Sequence, residues 1–95
     1  MRLDVNEREA LRFALKGFKG EVYLFGSRLD DTKRGGDIDI LLIPQRAVKS
    51  LKLSLRVHTR FFSRCEERID VVVYNDDLFC REILKNAKRL DIARI

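Results

Sequence analysis

Three aspartates stand at the beginning of apolar segments. Asp37 and Asp39 open the segment "DIDILLI", and Asp70 lies among the first residues of "RIDVVVY". Side chains alternate across a strand, so Asp37 and Asp39 share one face, with α-carbons about 6.5–7 Å apart. Carboxylates this close repel one another unless a cation neutralises them, and the hard ions Mg²⁺ and Mn²⁺ prefer oxygen ligands. The spacing therefore favours a metal site over the alternative of a solvated strand end.

A Gly-Ser pair precedes these aspartates in the chain. Gly26 and Ser27 end the apolar run "EVYLF", and Arg28 follows them. Glycine lets a backbone approach a ligand closely, while serine can offer a hydroxyl and an amide to a phosphate. Arg28 would add positive charge. Taken alone, the pair is more typical of an ordinary turn between strands than of a phosphate site.

The three predicted strands can bring these residues to one place. If the first strand is antiparallel to the second, Gly26 and Ser27 lie beside Asp37. The segment between the second and third strands is long enough for a helical crossover, which makes those strands parallel. Asp70 then reaches the same edge. The prediction is a mixed sheet that gathers all of these residues.

Apolar residues at helical spacing predict helices around this sheet. The first helix is predicted to be capped by Asn6 with Glu9, and the last by Asn75 or Asp76. The apolar face of the long middle helix is predicted to consist of Val48, Leu51, Leu55, Phe62 and Cys65, and that of the last helix of Phe79, Ile83, Ala87 and Leu90. We expect one α+β domain over residues 1–95, in the order α-β-(α)-β-α-β-α, with a mixed sheet of three strands or slightly more.

Composition and charge exclude several classes of protein. Lys and Arg outnumber Asp and Glu by 20 to 15, which gives a net charge of +5 and favours an anionic partner. Two cysteines, Cys65 and Cys80, with a single histidine cannot build a disulfide framework or a zinc site. The start "MRLDVNEREA" lacks the apolar core of a signal peptide, and no apolar run approaches the ~20 residues of a membrane helix. We therefore expect a cytoplasmic protein with no membrane contact.

The combined pattern resembles the nucleotidyltransferase superfamily that includes DNA polymerase beta. Gly26-Ser27, then Asp37-x-Asp39 on an apolar strand, then Asp70 at a later strand follow that superfamily's order from about residue 20 to residue 75. With one short domain, the chain looks like a minimal nucleotidyltransferase. One departure is "RLDDTKR", which replaces the small, glycine-containing segment that many relatives have after the serine.

The resemblance implies a role for each matching residue. Gly26 and Ser27 would hold the triphosphate of a nucleotide, and Arg28 is expected to bind the nucleotide with them. Asp37, Asp39 and Asp70 would bind two Mg²⁺ ions, or Mn²⁺, and Asp70 would help to deprotonate the attacking hydroxyl. The expected reaction is transfer of a nucleoside monophosphate, most simply AMP from ATP, to a hydroxyl of a partner protein.

The resemblance also implies a class of partner. Minimal nucleotidyltransferases are often antitoxins paired with a helical HEPN toxin, and a chain this short must borrow its acceptor surface from a partner protein or a second copy of itself. Two alternatives remain: modification of an RNA end, or an inactive module that neutralises a toxin by contact.

Two further features have alternative interpretations. A basic row on the middle helix is either a solvated face or a surface for RNA or an acidic partner; it consists of Lys52, Arg56, Arg60 and Arg64. The tail "LDIARI" either covers the core or contacts a neighbour. His58 is interpreted as structural, because no carboxylate or cysteine cluster lies near it in the sequence.

Overall fold

The computed structural model describes residues 1–95 and contains three α-helices and four strands. In chain order the elements are α1 (Val5–Ala14), β1 (Gly20–Phe25), a 3₁₀ turn (Gly26–Leu29), β2 (Ile38–Pro44), α2 (Ser50–Phe62), β3 (Ile69–Val73), α3 (Leu78–Asn86) and β4 (Lys88–Leu90). This order confirms the predicted α+β fold and adds the short strand β4. None of the helices has the length and hydrophobicity that crossing a membrane requires.

The four strands form one mixed sheet in the order β3-β2-β1-β4. β1 is antiparallel to β2, with Phe25 opposite Asp39, and β2 is parallel to β3, with Asp39 opposite Asp70. Both predicted strand directions are therefore confirmed. β4 pairs antiparallel with the other side of β1. The carboxyl end of β1 and the amino ends of β2 and β3 consequently meet at one edge of the sheet.

The main core lies between one face of the sheet and the helices α1 and α2. Ile38, Ile40 and Leu42 alternate along β2 and pack in this core with residues of both helices, including Leu11 and Phe61. Leu41 points to the opposite face, which α3 covers through its contacts with β1, and Cys80 of α3 is buried as well. Asp39 shares this second face with Leu41 because residues two apart along a strand point the same way.

The first helix begins two residues earlier than predicted. Asp4 is its N-cap: the side chain of Asp4 accepts a hydrogen bond from the amide of Glu7, and the amide of Asp4 donates to the carboxylate of Glu7. The predicted capping pair, Asn6 with Glu9, is wrong. Asp4 with Glu7 and Asn6 with Glu9 have the same spacing of three residues. Burial of Glu7 favours the first pair as the cap.

The middle helix presents a different face to the core than the sequence predicts. Leu53, Val57 and Phe61 are buried, and Cys65 continues this row against the core. The predicted core residues Val48, Leu51, Leu55 and Phe62 are all exposed. Two apolar rows with helical spacing run along this helix, so periodicity alone does not distinguish them. Because the core uses the other row, one apolar row of the helix lies on the outside of the protein.

The last helix is shorter than predicted and begins at a different cap. The side chain of Asp77 accepts a hydrogen bond from the amide of Cys80, which replaces the predicted caps Asn75 and Asp76. Phe79 is exposed, Ile83 and Ala87 are partly buried, and Leu90 is buried in β4 rather than in a helix. In the tail, Ile92 and Ile95 pack partly against the core, so the tail covers the core.

Candidate active site at one edge of the sheet

The register of the strands brings two of the three aspartates together. The amide of Ile38 donates to the carbonyl of Arg68 at 2.9 Å, and Asp39 and Asp70 are the next pair along the two parallel strands. Register partners on neighbouring parallel strands point to the same face of the sheet. Asp70 is exposed and Asp39 is partly buried. Asp37 is partly buried and lies one residue before β2 begins.

The electrostatic state of Asp39 reflects this crowding. Burial of the carboxyl group makes the largest contribution to its pKa, followed by repulsion from Asp70, a hydrogen bond shared with Asp70, and repulsion from Asp37. Together these effects raise the pKa of Asp39 from 3.8 to about 6. A nearby cation would reverse this effect, because it favours the ionised carboxylate. The edge is therefore a place where negative charge accumulates without compensation from the protein.

The side chains do not form a finished metal cluster. No group of three or more acidic, histidine or cysteine side chains is close enough to hold an ion as the structure stands. Asp39 and Asp70 supply a pair of oxygen donors, and the charge of Asp37 acts on Asp39. The donor chemistry fits a hard divalent cation, and the third carboxylate would have to rotate towards the pair.

Two glycines make room around the site. Gly26 has a φ of 79°, and a Cβ atom there would overlap the Oδ2 atom of Asp39. Gly36 has a φ of 86°, and a Cβ atom there would overlap the hydroxyl of Ser27. The backbone of Gly26 thus lies directly against the carboxylate of Asp39, and the backbone of Gly36 lies against the hydroxyl of Ser27. Gly36 is not among the site residues predicted from the sequence, although the pair "GG" just before Asp37 signals that close backbone approach is needed there.

Arg28 lies inside the fold. Its guanidinium forms an ion pair with Glu7 of α1 at 2.8 Å, and both side chains are almost fully buried. It also donates to the carbonyls of Gly36 at 3.0 Å and Arg2 at 2.9 Å. Its hydrogen bonds are therefore made within the protein, where they tie the loop before Asp37 to α1 and to the amino-terminal segment.

Arg2 holds the same loop from its other end. Its side chain donates to the carbonyl of Ser27 at 2.9 Å and to that of Asp30 at 2.8 Å. The sequence analysis missed both Arg2 and Glu7 as residues that support the site. No local pattern predicts either contact, because the partners are more than twenty residues apart in the chain.

Comparison with known protein families identifies the arrangement. A family model described as "Polymerase beta, Nucleotidyltransferase" matches residues 20–91, which include the turn after β1 and all three aspartates. The chain belongs to this nucleotidyltransferase family. The resemblance predicted from Gly26, Ser27 and the aspartates is thereby confirmed. Among curated proteins, the sequence has no significant match.

Solved structures share the fold of this nucleotidyltransferase domain. A toxin–antitoxin complex with AMP-PNP contains a chain with a TM-score of 0.65 and 20% identity, covering 90% of this chain and 72% of that one. The tri-AMPylated Shewanella oneidensis HEPN toxin in complex with MNT antitoxin gives 0.59 and 20%, with coverage of 90% and 68%. A mutant MntA–HpeT toxin–antitoxin complex gives 0.59 and 20%, with coverage of 87% and 66%. This domain therefore spans roughly two thirds of the length of these solved chains.

Proposed function

We propose that this domain transfers a nucleoside monophosphate, AMP from ATP, to a hydroxyl group of a partner protein, and that the partner is a HEPN-type toxin. The observation that carries the proposal is the meeting of Asp39, Asp70 and the Gly26-Ser27 turn at one sheet edge. Membership of the nucleotidyltransferase family supports the type of reaction. The AMP-PNP and the AMPylated toxin in the structural relatives support the choice of nucleotide and partner.

In this proposal each residue of the edge has a defined task. Gly26 and Ser27 bind the triphosphate through backbone amides and the serine hydroxyl, since Gly26 has no side chain to obstruct the approach. Asp37, Asp39 and Asp70 bind the divalent cations, Mg²⁺ or Mn²⁺. When bound, these ions would neutralise the triphosphate and lower the pKa of the acceptor hydroxyl. Arg28 positions the loop through Glu7.

The chemical step is an in-line displacement at the α-phosphorus. The acceptor oxygen forms a bond to that phosphorus, the bond to the bridging oxygen of pyrophosphate breaks, and the acceptor proton is released. Asp70 can accept this proton because its carboxylate is the exposed member of the pair. Most of the rate enhancement in such transfers comes from positioning and charge neutralisation, so removal of one carboxylate should abolish transfer without unfolding the domain.

Labelled ATP tests the proposal directly. The domain is co-purified with a HEPN toxin, supplied with Mg²⁺, and given ATP labelled either at the α- or at the γ-phosphate. We expect the toxin to gain the α-label and the mass of one AMP for each modified hydroxyl, and to gain no γ-label. An Asp37→Asn, Asp39→Asn double variant that is at least as stable to heat as the wild type is the control and should transfer nothing.

Other outcomes would identify the alternatives. Label on added RNA rather than protein, with activity that falls steeply as salt increases, would indicate an RNA-end nucleotidyltransferase. Neutralisation of the toxin by the double variant, with no label from the wild type, would indicate a module that acts by contact alone. Either result would overturn the proposed reaction.

A further inference from the structure

The outer side of α2 carries an apolar row that no part of the chain covers. Leu51, Leu55, His58 and Phe62 are separated by four, three and four residues, which is the spacing of the seam between two packed helices. Leu51 is 71% exposed, Leu55 55% and Phe62 51%. Around the last turns of the helix, Leu55, His58 and Phe62 line a shallow depression of about 540 Å³ with Thr59 and Ser63. We call Leu51, Leu55, His58 and Phe62 the outer row.

The outer row faces away from α1. Arg60 marks the flank of α2 that faces α1, because its guanidinium donates to the carbonyl of Lys16 just beyond that helix. At roughly 100° per residue, Leu51, Leu55 and Phe62 are turned about 140–180° from Arg60. They therefore lie on the flank next to β3, which is an edge strand of the sheet. This side of the molecule is open to a partner.

The direction of α2 connects the outer row to the candidate site. The helix links the carboxyl end of β2 to the amino end of β3, and these strands are parallel. It therefore runs back towards the edge where Asp39 and Asp70 lie, and Phe62 is at the end nearer to that edge. A segment bound along the row would be held beside the candidate site.

The charges next to the row indicate the chemistry of the occupant. Lys52 and Arg56 are exposed on the solvent side of the row, and neither takes part in an ion pair within the protein. α2 contains no acidic residue. A second copy of the chain would oppose these cations with the same cations. Nucleic acid would satisfy the cations but would leave the leucines without apolar partners.

We propose that the outer row of α2, with Lys52 and Arg56 beside it, binds an acidic amphipathic helix of the protein that accepts the nucleotide. Apolar residues of that helix pack on Leu51, Leu55 and Phe62, and its carboxylates pair with Lys52 and Arg56. The identity of the occupant as the acceptor rests on the proposed function. The binding surface itself does not depend on the reaction.

The probes are two synthetic amphipathic helical peptides with identical leucine seams. One has glutamates on its flanks and the other has lysines at the same positions. Binding of each fluorescent peptide to the full chain is measured by anisotropy without nucleotide or metal. We expect the acidic peptide to bind, and the basic peptide to bind at least about tenfold more weakly because like charges oppose it.

Variants locate the binding surface. Leu51→Gln, Leu55→Gln and Phe62→Gln together should weaken binding of the acidic peptide at least about tenfold, since apolar anchors carry most of the energy of small interfaces. Leu78→Gln with Phe79→Gln removes similarly exposed apolar residues elsewhere and should leave binding unchanged. Should the triple variant fail to fold, Lys52→Glu with Arg56→Glu keeps the row and should reverse the preference towards the basic peptide.

Several results would overturn this inference. The first group concerns the peptides: both bind equally, neither binds, or the outer-row and control variants lose binding equally. The second group concerns other occupants: the chain binds phosphatidylserine vesicles instead of the acidic peptide, or it forms a dimer that dissociates in the triple variant. The two proposals can fail separately. Peptide binding without nucleotide transfer would refute the reaction and leave the surface intact, whereas transfer with an unchanged KM for the acceptor in the triple variant would refute the surface.

Discussion

Asp39 is held at the sheet edge in surroundings that oppose its ionisation. The pKa of its carboxyl group is about 6 in the folded chain against 3.8 ordinarily, mainly because of burial and the charge of Asp70. Between these two values the folded state binds more protons than the unfolded state, so stability falls as pH rises through this window. Above about pH 6 the whole destabilising effect is present.

This pKa predicts that Asp39→Asn stabilises the metal-free protein more at neutral than at acidic pH. Asparagine resembles the protonated acid in shape and carries no charge at any pH. Thermal unfolding in the presence of a chelator, at about pH 4.5 and about pH 7.5, should show a larger gain in Tm at the higher pH. A gain that is equal at both pH values would mean that Asp39 ionises normally in the fold.

Gly26 is expected to be required by its contact with Asp39 as well as by its backbone conformation. Gly26→Ala combines the strain of a positive φ with overlap of the Asp39 carboxylate. Gly17 has nearly the same φ, 83°, and no atom within 4 Å of an added Cβ atom, so Gly17→Ala is a matched control. Both variants should lose about 1–2 kcal/mol of stability from the backbone alone.

Only Gly26→Ala should also lose metal-dependent ATP binding. Titration calorimetry with ATP and Mg²⁺ on both alanine variants measures this difference. If the two variants bind ATP equally well, the close approach of Gly26 to Asp39 has no role in the site.

The buried pair of Arg28 and Glu7 predicts a strong effect on stability. Glu7→Gln leaves the guanidinium of Arg28 buried beside a neutral partner, which typically costs about 3–5 kcal/mol. A double variant, Glu7→Leu with Arg28→Met, removes both charges and should recover most of the stability lost in Glu7→Gln. Urea unfolding of the two variants measures the difference. A loss from Glu7→Gln below about 1 kcal/mol would contradict the burial of the pair.

Comparison of this double variant with Glu7→Gln decides the role of Arg28. Both changes disturb the hold of Arg28 on the loop, but only the double variant removes the guanidinium. If Arg28 acts only by holding the loop, both folded variants should weaken binding of ATP with Mg²⁺ to a similar extent. A loss of affinity confined to the double variant would show that the arginine contacts the nucleotide itself, as the sequence predicts.

At the level of elements, α2 offers two neighbouring phenylalanines for a direct comparison. Phe61 is fully buried, whereas Phe62 is 51% exposed. Phe61→Ala should reduce the free energy of unfolding by about 3–5 kcal/mol, because it opens a cavity in the core. Phe62→Ala should cost less than about 1 kcal/mol, as expected for surface substitutions. Urea unfolding of both variants tests which face of α2 packs in the core. A larger loss of stability in Phe62→Ala than in Phe61→Ala would contradict the observed face.

The elements also show which parts of the fold the sequence predicts. Strand order and direction around β2 follow from the crossover length and from the places where Gly26, Asp39 and Asp70 occur, and these predictions are confirmed. The face of α2 does not follow from the sequence, because the apolar rows through Leu53 and Leu55 both have helical spacing. Only packing against α1 and β3 distinguishes them. The three residues of β4 are too few for a periodic signal.

The supporting contacts of the site are the least predictable from sequence. The pairing of Asp39 with Asp70 follows from strand alternation and parallel register. The contacts of Glu7 and Arg2 with the loop depend on how α1 and the amino-terminal segment fold against it, which no local spacing encodes. Sequence therefore predicts the residues that converge at the edge, and tertiary packing determines those that hold them there.

For the molecule as a whole, the distribution of charge suits an anionic substrate. The chain has a net charge of +5, yet its candidate site gathers aspartates at one edge of the sheet. The overall field would attract the proposed nucleoside triphosphate, while the local carboxylates would repel it unless cations lay between them. Binding of ATP should therefore depend on a divalent metal ion and on the aspartates together.

Titration calorimetry of ATP, with and without Mg²⁺, tests this central claim most directly. The comparison uses the wild type and an Asp37→Asn, Asp39→Asn variant that is folded and at least as stable to heat as the wild type. The account predicts binding that requires Mg²⁺ and disappears in the variant. Binding of equal strength without the metal or in the variant, or no binding of ATP to the wild type, would contradict it.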